Sequence, residues 1–273
     1  MFDIPVPKDD GLFIPEVGEW SEDKHYFLAR YIDAFTTAMK NKKWSSLHYI
    51  DLFAGAGIER LKESGKLDWG SPMIAALAPN SFTKLHLCEK DQIKYETLKE
   101  RILKVKSNSQ ILCGDANEMI SNIISEIPTD SLSLAFIDPY GLHLDFSTLQ
   151  ALEKNRVDLI IFFPDYLDAV RNWAAYYLNN PESNLDRFLG PENNWRDKIQ
   201  NIPSQRQAQF IRDLYAEQIR TKLGYSQFDY ERISMKGHPL YSLIFCSRHP
   251  IAAKLWRGIS NKKPDGQRTF DFS

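Results

Sequence analysis

Two periods of apolar residues alternate along the chain. Short runs rich in β-branched and aromatic residues, bounded by acids or glycines, read as buried strands: 47–51, 84–88, 110–113, 132–137 and 159–163. Between them apolar residues recur every three to four positions, as on one face of a helix. The first such face carries Phe27, Leu28, Tyr31, Ile32 and Phe35, with Ser21 as N-cap and Glu22-Asp23 suited to the helix dipole. Ser71-Pro72 opens a short helix over 73–78, and proline suits a first turn because its missing N–H needs no partner there. A helix over 91–106 turns Ile93, Leu98, Ile102 and Val105 inward, and further helices cover 116–126 and 146–153. The tract between the glycine turn at 55–57 and Ser71 reads as a polar loop running through Gly65 to Gly70.

Strands alternating with helices at this spacing predict βαβ units, a doubly wound α/β fold with a mostly parallel sheet. Right-handed crossovers bring the carboxyl ends of all five strands to one rim. The pattern breaks at 165–204, a helical insertion with one amphipathic helix (Leu167, Val170, Trp173, Ala174, Tyr177) and then a Pro/Asn-rich tract. A long helix from Gln205 to Gly224 follows, with Phe210, Ile211, Leu214, Tyr215 and Ile219 inward. Strands at 228–235 and 240–246, joined by Lys236-Gly237-His238-Pro239, make an antiparallel edge hairpin within 228–247. Ile251 to Ile259 reads as a last helix. The expected organisation is one domain over 1–273, with an amino-terminal arm and helix in 1–46.

Charge narrows the partners: 34 basic and 36 acidic residues give a net charge of −2, so a nucleic acid or an anionic membrane would need a local patch. Cys88, Cys113 and Cys246 lack metal-ligand spacing and lie in apolar contexts, which reads as buried free thiols and no metal. The sequence shows neither a signal-peptide apolar region nor a run of 18 apolar residues, so a soluble, cytoplasmic protein with no membrane association is expected.

Chemistry concentrates where strands end. Asp51 closes the first strand and leads into Phe53-Ala54-Gly55-Ala56-Gly57, a paired-glycine turn against which a ligand can lie closely. Glu89 closes the second strand, the position that holds ribose hydroxyls in doubly wound folds. Asp115 follows the third strand and Asp138-Pro139-Tyr140-Gly141 the fourth. The third glycine of a dinucleotide fingerprint is here Arg60, which disfavours NAD. Each feature also has an ordinary reading: a tight turn at the glycines, helix N-caps at Glu89 and Asp115, a strand terminator at Asp138-Pro139.

The ordered set Tyr49-Ile50-Asp51-Leu52-Phe53-Ala54-Gly55-Ala56-Gly57, Gly70-Ser71-Pro72, Glu89-Lys90-Asp91, Gly114-Asp115-Ala116-Asn117 and Phe136-Ile137-Asp138-Pro139-Tyr140-Gly141 resembles the class I S-adenosylmethionine-dependent methyltransferases. More closely, with the helix around His25 to Phe35 and the stretch Pro164 to Arg171, the chain resembles the three-Cys-motif partner proteins over most of its length. The resemblance implies a Rossmann-like methyltransferase fold and S-adenosylmethionine as cofactor, bound by Asp51, Phe53, Gly55, Gly57, Glu89, Lys90, Asp115 and Ala116. In that assignment the loop brackets the methionine part, Glu89 the ribose and Asp115 the adenine amino group. A rim rich in acids suits a cofactor carrying an ammonium and a sulfonium.

The resemblance also implies that Asp138, Pro139 and Tyr140 are catalytic. Carboxylate and proline-fixed carbonyl accept the N–H hydrogens of an exocyclic amine, and the ring stacks on a flat base. The tetrapeptide is similar to the Asp-Pro-Pro-Tyr of amino-methylating nucleic-acid enzymes, less one proline. The expected reaction is methylation of a nucleobase amino group in DNA or RNA, with a target inside a duplex flipped out of the stack. The alternative is an accessory subunit of the same fold serving a three-Cys-motif, iron-sulfur partner. Lesser candidates are His143 as a base, Asp165 and Arg171 facing the acceptor, and a basic tract of Arg248, Lys254, Arg257, Lys262, Lys263 and Arg268 with Trp256.

Overall fold

A computed structural model describes residues 4–235 and 237–261. The apolar runs become β2 (Leu47–Asp51), β5 (Lys84–Glu89), β6 (Ser109–Cys113), β7 (Leu132–Ile137) and β8 (Val157–Phe163), all parallel; β9 (Gln227–Met235) and β10 (His238–Ser247) complete a seven-stranded sheet. The order is β6-β5-β2-β7-β8-β10-β9, with β10 antiparallel to both of its neighbours. All seven positions of β8 are buried, which is why it reads as an unbroken apolar run rather than an alternating one. The chain leaves β2 toward β5 and β6 and then returns to β7. That reversal opens a crevice between β2 and β7, where open sheets of this kind bind ligands.

Helices cover both faces. On one lie α1 (Trp20–Met39), α2 (Ser71–Ala76), α3 (Gln92–Val105) and α9 (Pro250–Ser260); on the other α4 (Ala116–Ile124), α5 (Phe146–Glu153), α6 (Asn184–Leu189), α7 (Trp195–Ile199) and α8 (Ser204–Leu223). Each layer has its own apolar core against the sheet, with Trp256 stacked on Phe245 at 5.0 Å in the first and Phe163 on Phe188 at 4.8 Å in the second. Among the described residues no helix is long and apolar enough to cross a membrane.

Several expectations change. The polar loop before Ser71 is a hairpin, β3 (Ile58–Leu61) and β4 (Leu67–Trp69), and with β1 (Glu16–Val17) it forms a second, three-stranded sheet. Glu19 holds its tip by accepting the N–H groups of Glu63 and Ser64, and Glu19, not Ser21, occupies the N-cap position of α1. On α3, Ile93 and Val105 are 62% and 45% exposed. The inward face is Thr97, Leu98, Arg101 and Ile102, because the Arg101 guanidinium is fully partnered there and can be buried. The start of the insertion is two π-helical turns, Asp165–Val170 and Trp173–Tyr177, with the Pro164 carbonyl accepting from both Asp168 and Ala169. β10 is inserted between β8 and β9, so of the hairpin's two strands only β9 is an edge strand. Cys88 and Cys246 are buried thiols, but Cys113 is exposed because it ends the edge strand β6.

Candidate functional site

Asp51, at the carboxyl end of the central strand β2, is fully buried; it accepts the Phe53 N–H at 3.3 Å and the Tyr49 hydroxyl at 3.2 Å. Burial pushes its carboxyl up to about 7, against bonds from Ser71, Phe53 and Tyr49 and with a further push from Asp138. The loop beyond it is fixed from below. Ala54 N–H donates to the Cys88 carbonyl of β5 at 2.9 Å, and Phe53 packs half-buried on the core.

The two glycines of the loop do different things. Both have positive φ, +65° at Gly55 and +89° at Gly57. A Cβ on Gly55 would meet nothing within 4 Å, whereas one on Gly57 would lie 3.1 Å from Met73 and 3.4 Å from Leu98. Gly55 therefore borders open space, and Gly57 permits close packing of α2 and α3. Arg101 ties that packing to the amino-terminal arm: it donates to the carbonyls of Ala56 and Phe13 and forms a paired contact with Asp10 at 2.7 and 2.8 Å.

Glu89 ends β5 and faces the loop. One carboxylate oxygen accepts Gly55 N–H and the other Asp91 N–H, each at 2.8 Å. The N-cap of α3 is Asp91, which accepts Lys94 N–H, so Glu89 is not a cap. Asp115 does cap α4, through Asn117 N–H at 3.0 Å, and it also pairs with the exposed Lys90 at 3.0 Å. Burial works to raise the Asp115 carboxyl, but Lys90 and the Asn117 N–H outweigh it and hold the group below the usual range. Ala116 is buried in the first turn of the same helix.

Asp138 follows β7. Its carboxylate is paired at 2.5 Å with Lys24 of α1, a nearly buried ammonium that also lies 5.4 Å from the Phe162 ring centroid. Burial pulls the Lys24 ammonium down, but Asp138 and Glu59 raise it above its usual value, so it stays charged. Pro139 is buried and Tyr140 is 91% exposed. Burial lifts the nearby Tyr241 hydroxyl to about 12, with Asp138 and Tyr140 adding and Lys24 opposing.

The lesser candidates scatter. His143 is exposed, with only its carbonyl engaged, by Asn117. Asp165 faces no acceptor: it is fully buried, paired with Arg212 at 2.5 Å and bonded by Ser242, while Arg171 is exposed. Trp256 is core, and Arg248 is held by Glu153 and by main-chain carbonyls. Lys262, Lys263 and Arg268 lie outside the described residues. Sequence reasoning missed Lys24, Arg101 and Arg212. Their shared signal is a cation at a helical stripe position, with Lys24 three and four residues from Phe27 and Leu28, and Arg101 three from Leu98.

Two cavities lie away from the glycine loop. One of about 680 Å³ lies between the start of α5 and the insertion, with Phe146, Arg187, Asn193 and Trp195 in its wall. The other, of about 520 Å³, lies beneath the arm and is walled by Ile4, His25, Tyr26 and Trp69. Neither is lined by Gly55, Glu89 or Asp115. Among the described residues no group of metal-ligating side chains converges.

No family model matches the sequence, and no curated protein is similar to it. The fold has solved relatives. A DUF519 protein of Legionella pneumophila str. Philadelphia 1 superposes with a TM-score of 0.53 at 14% identity, over 92% of this chain and 94% of that one. Trm1 from Pyrococcus horikoshii, solved with S-adenosyl-L-methionine, gives 0.42 at 14% identity over 95% and 62%. The N-terminal domain of human METTL16, solved with SAH, gives 0.43 at 8% over 80% and 68%. At 14% identity the first likeness is one of fold alone, and TM-scores below 0.5 support no inference about function.

Proposed function

We propose that the chain is an S-adenosylmethionine-dependent methyltransferase acting on an exocyclic amino group of a nucleobase in DNA or RNA. The observation that carries this reading is Glu89. Its carboxylate is anchored by two backbone N–H groups beside a glycine that borders open space. A carboxylate has about four acceptor sites, so two stay available for the vicinal hydroxyls of a ribose. Asp51, Phe53 and Gly55 would hold the amino-acid end, with Gly57 setting the bend; Lys90, Asp115 and Ala116 would hold the adenine end.

When bound, the cofactor supplies a methyl group activated by its sulfonium. The chain's part is placement of the acceptor. Asp138 and the Pro139 carbonyl accept the N–H hydrogens of the amine, and Tyr140 stands free to stack on the base. Lys24 holds Asp138 in place, and it must yield to the incoming amine.

Calorimetric titration with S-adenosylmethionine tests the cofactor half. Glu89→Ala should weaken binding by about 1.5–3 kcal/mol, the range for hydrogen bonds to a charged group. Asp138→Ala should bind the cofactor normally and lose methyl transfer to oligonucleotides. Wild-type protein that takes up no heat with S-adenosylmethionine sinks the reading.

The closed Lys24–Asp138 pair favours a second reading, an accessory subunit that turns over only with a three-Cys-motif, iron-sulfur partner. Transfer that begins only when such a partner is added identifies it.

A further inference from the structure

Beside the acceptor end of the rim, rings and guanidinium groups alternate. Tyr230 and Arg232 are two apart on the edge strand β9 and share a face; both are exposed, Tyr230 at 36%. The Arg212 guanidinium lies 4.5 Å from the Tyr230 ring and 5.9 Å from Tyr166, and Arg232 lies 5.7 Å from Tyr166. Arg212 is buried and neutralised by Asp165, so its place in this array is structural. Arg232 is exposed, and a ring holds its guanidinium. The array adjoins Tyr140: Tyr166 shares a π-helical turn with Asp168, whose carboxylate lies 2.8 Å from where a Cβ on Gly141 would stand.

We propose that Tyr140, Tyr230 and Arg232, with the half-buried Tyr166 holding Arg232, form a docking strip for single-stranded nucleic acid, the rings of Tyr140 and Tyr230 stacking on bases and Arg232 contacting a phosphate. The proposal rests on the methyltransferase reading for which base is presented, but binding to the strip needs no cofactor. A guanidinium laid on a ring is weakly hydrated and already ordered, so it meets a phosphate with little loss of freedom. Exposed rings stack on any base, because every base has a π face. A duplex hides those faces, and an amine about to be methylated must leave the stack in any case. With a net charge of −2 the chain has no broad basic field, so stacking supplies most of the affinity and the salt dependence is shallow.

The test is fluorescence anisotropy with a labelled single-stranded RNA 20-mer across a salt series, without cofactor. Tyr230→Ala and Tyr140→Ala should each weaken binding about tenfold. Arg232→Gln should lower the slope of log affinity against log salt by about 0.7, the value for one phosphate contact on a single strand, and Arg232→Lys should restore it. Unchanged melting and unchanged heat with S-adenosylmethionine in the Tyr230 and Arg232 variants place the effect on the strip. The proposal is overturned if wild type binds no oligonucleotide, if the slope stays fixed in Arg232→Gln, or if these residues prove to serve a protein partner alone. A failed strip with intact S-adenosylmethionine binding leaves the methyltransferase reading standing; loss of both ends both.

Discussion

The two halves of the rim hold their carboxylates by different means. On the half formed by β2, β5 and β6, main-chain N–H groups do it: Phe53 for Asp51, Gly55 and Asp91 for Glu89, Asn117 for Asp115. On the half formed by β7 and β8, cationic side chains do it: Lys24 for Asp138 and Arg212 for Asp165. An amide fixes a carboxylate without cancelling its charge, whereas a lysine or arginine cancels it. In the first half Glu89 has only amides on its carboxylate, while Asp115 also meets the exposed Lys90 and burial raises the Asp51 carboxyl to about 7; in the second half both acids face a cation.

The largest effect that would sharpen this contrast is on the second half. Arg212→Met leaves Asp165 buried without a counter-charge and should destabilise the fold by about 3–5 kcal/mol, read as a lower urea midpoint. Replacing both partners with apolar residues should recover most of it. Lys24→Met should lower stability less, by about 1–3 kcal/mol, because Asp138 keeps some contact with solvent. If neither loss exceeds about 1 kcal/mol, the range of an exposed ion pair, the cations do not hold the second half as described.

pH separates the two ends of β2 within the first half. Asp51 has its pKa raised from 3.8 to about 7, so between those values the native state holds a proton that the unfolded chain has lost. Stability from this group falls as pH rises through that window. The opposite end of β2 carries His48, stacked on His86 with its ring nitrogen 2.9 Å away. Burial, with His86 and Lys84, lowers His48 to about 4, so its contribution rises with pH between 4 and 6.5. The slopes oppose each other in urea titrations of the wild type. Asp51→Asn should leave a rising limb and His48→Gln a falling one, each changing the slope by at most about 1.4 kcal/mol per pH unit.

The smallest effects test the loop itself. Gly55→Ala and Gly57→Ala both place a Cβ at positive φ, which costs about 1–2 kcal/mol. Gly57→Ala also crowds Met73 and should be the less stable by thermal melting, while Gly55→Ala should lose more cofactor affinity. The reverse ranking would contradict the different surroundings of the two glycines.

Legibility follows the same division. Asp51, Glu89 and Asp115 each accept an N–H two residues on, from Phe53, Asp91 and Asn117, and strand-end acids and paired glycines are local signals; only the Gly55 bond to Glu89 reaches farther, across 34 residues. The acids of the second half find partners 114 and 47 residues away, as Lys24–Asp138 and Asp165–Arg212. No window of sequence spans those distances, so Asp165 reads as facing the acceptor beside Arg171. Ile93 misleads for a related reason: periodicity cannot tell that a fully bonded Arg101 takes the inward place.

By itself the sequence determined the alternation of strands and helices, the rim, and which acids and glycines stand on it, because hydrophobic period and turn chemistry act between neighbours in the chain. Only the tertiary structure decided which carboxylates meet a distant cation, which glycine borders open space, and that β10 enters between β8 and β9. Those depend on distant cations, on the packing of α2 and α3, and on where the sheet leaves an edge free.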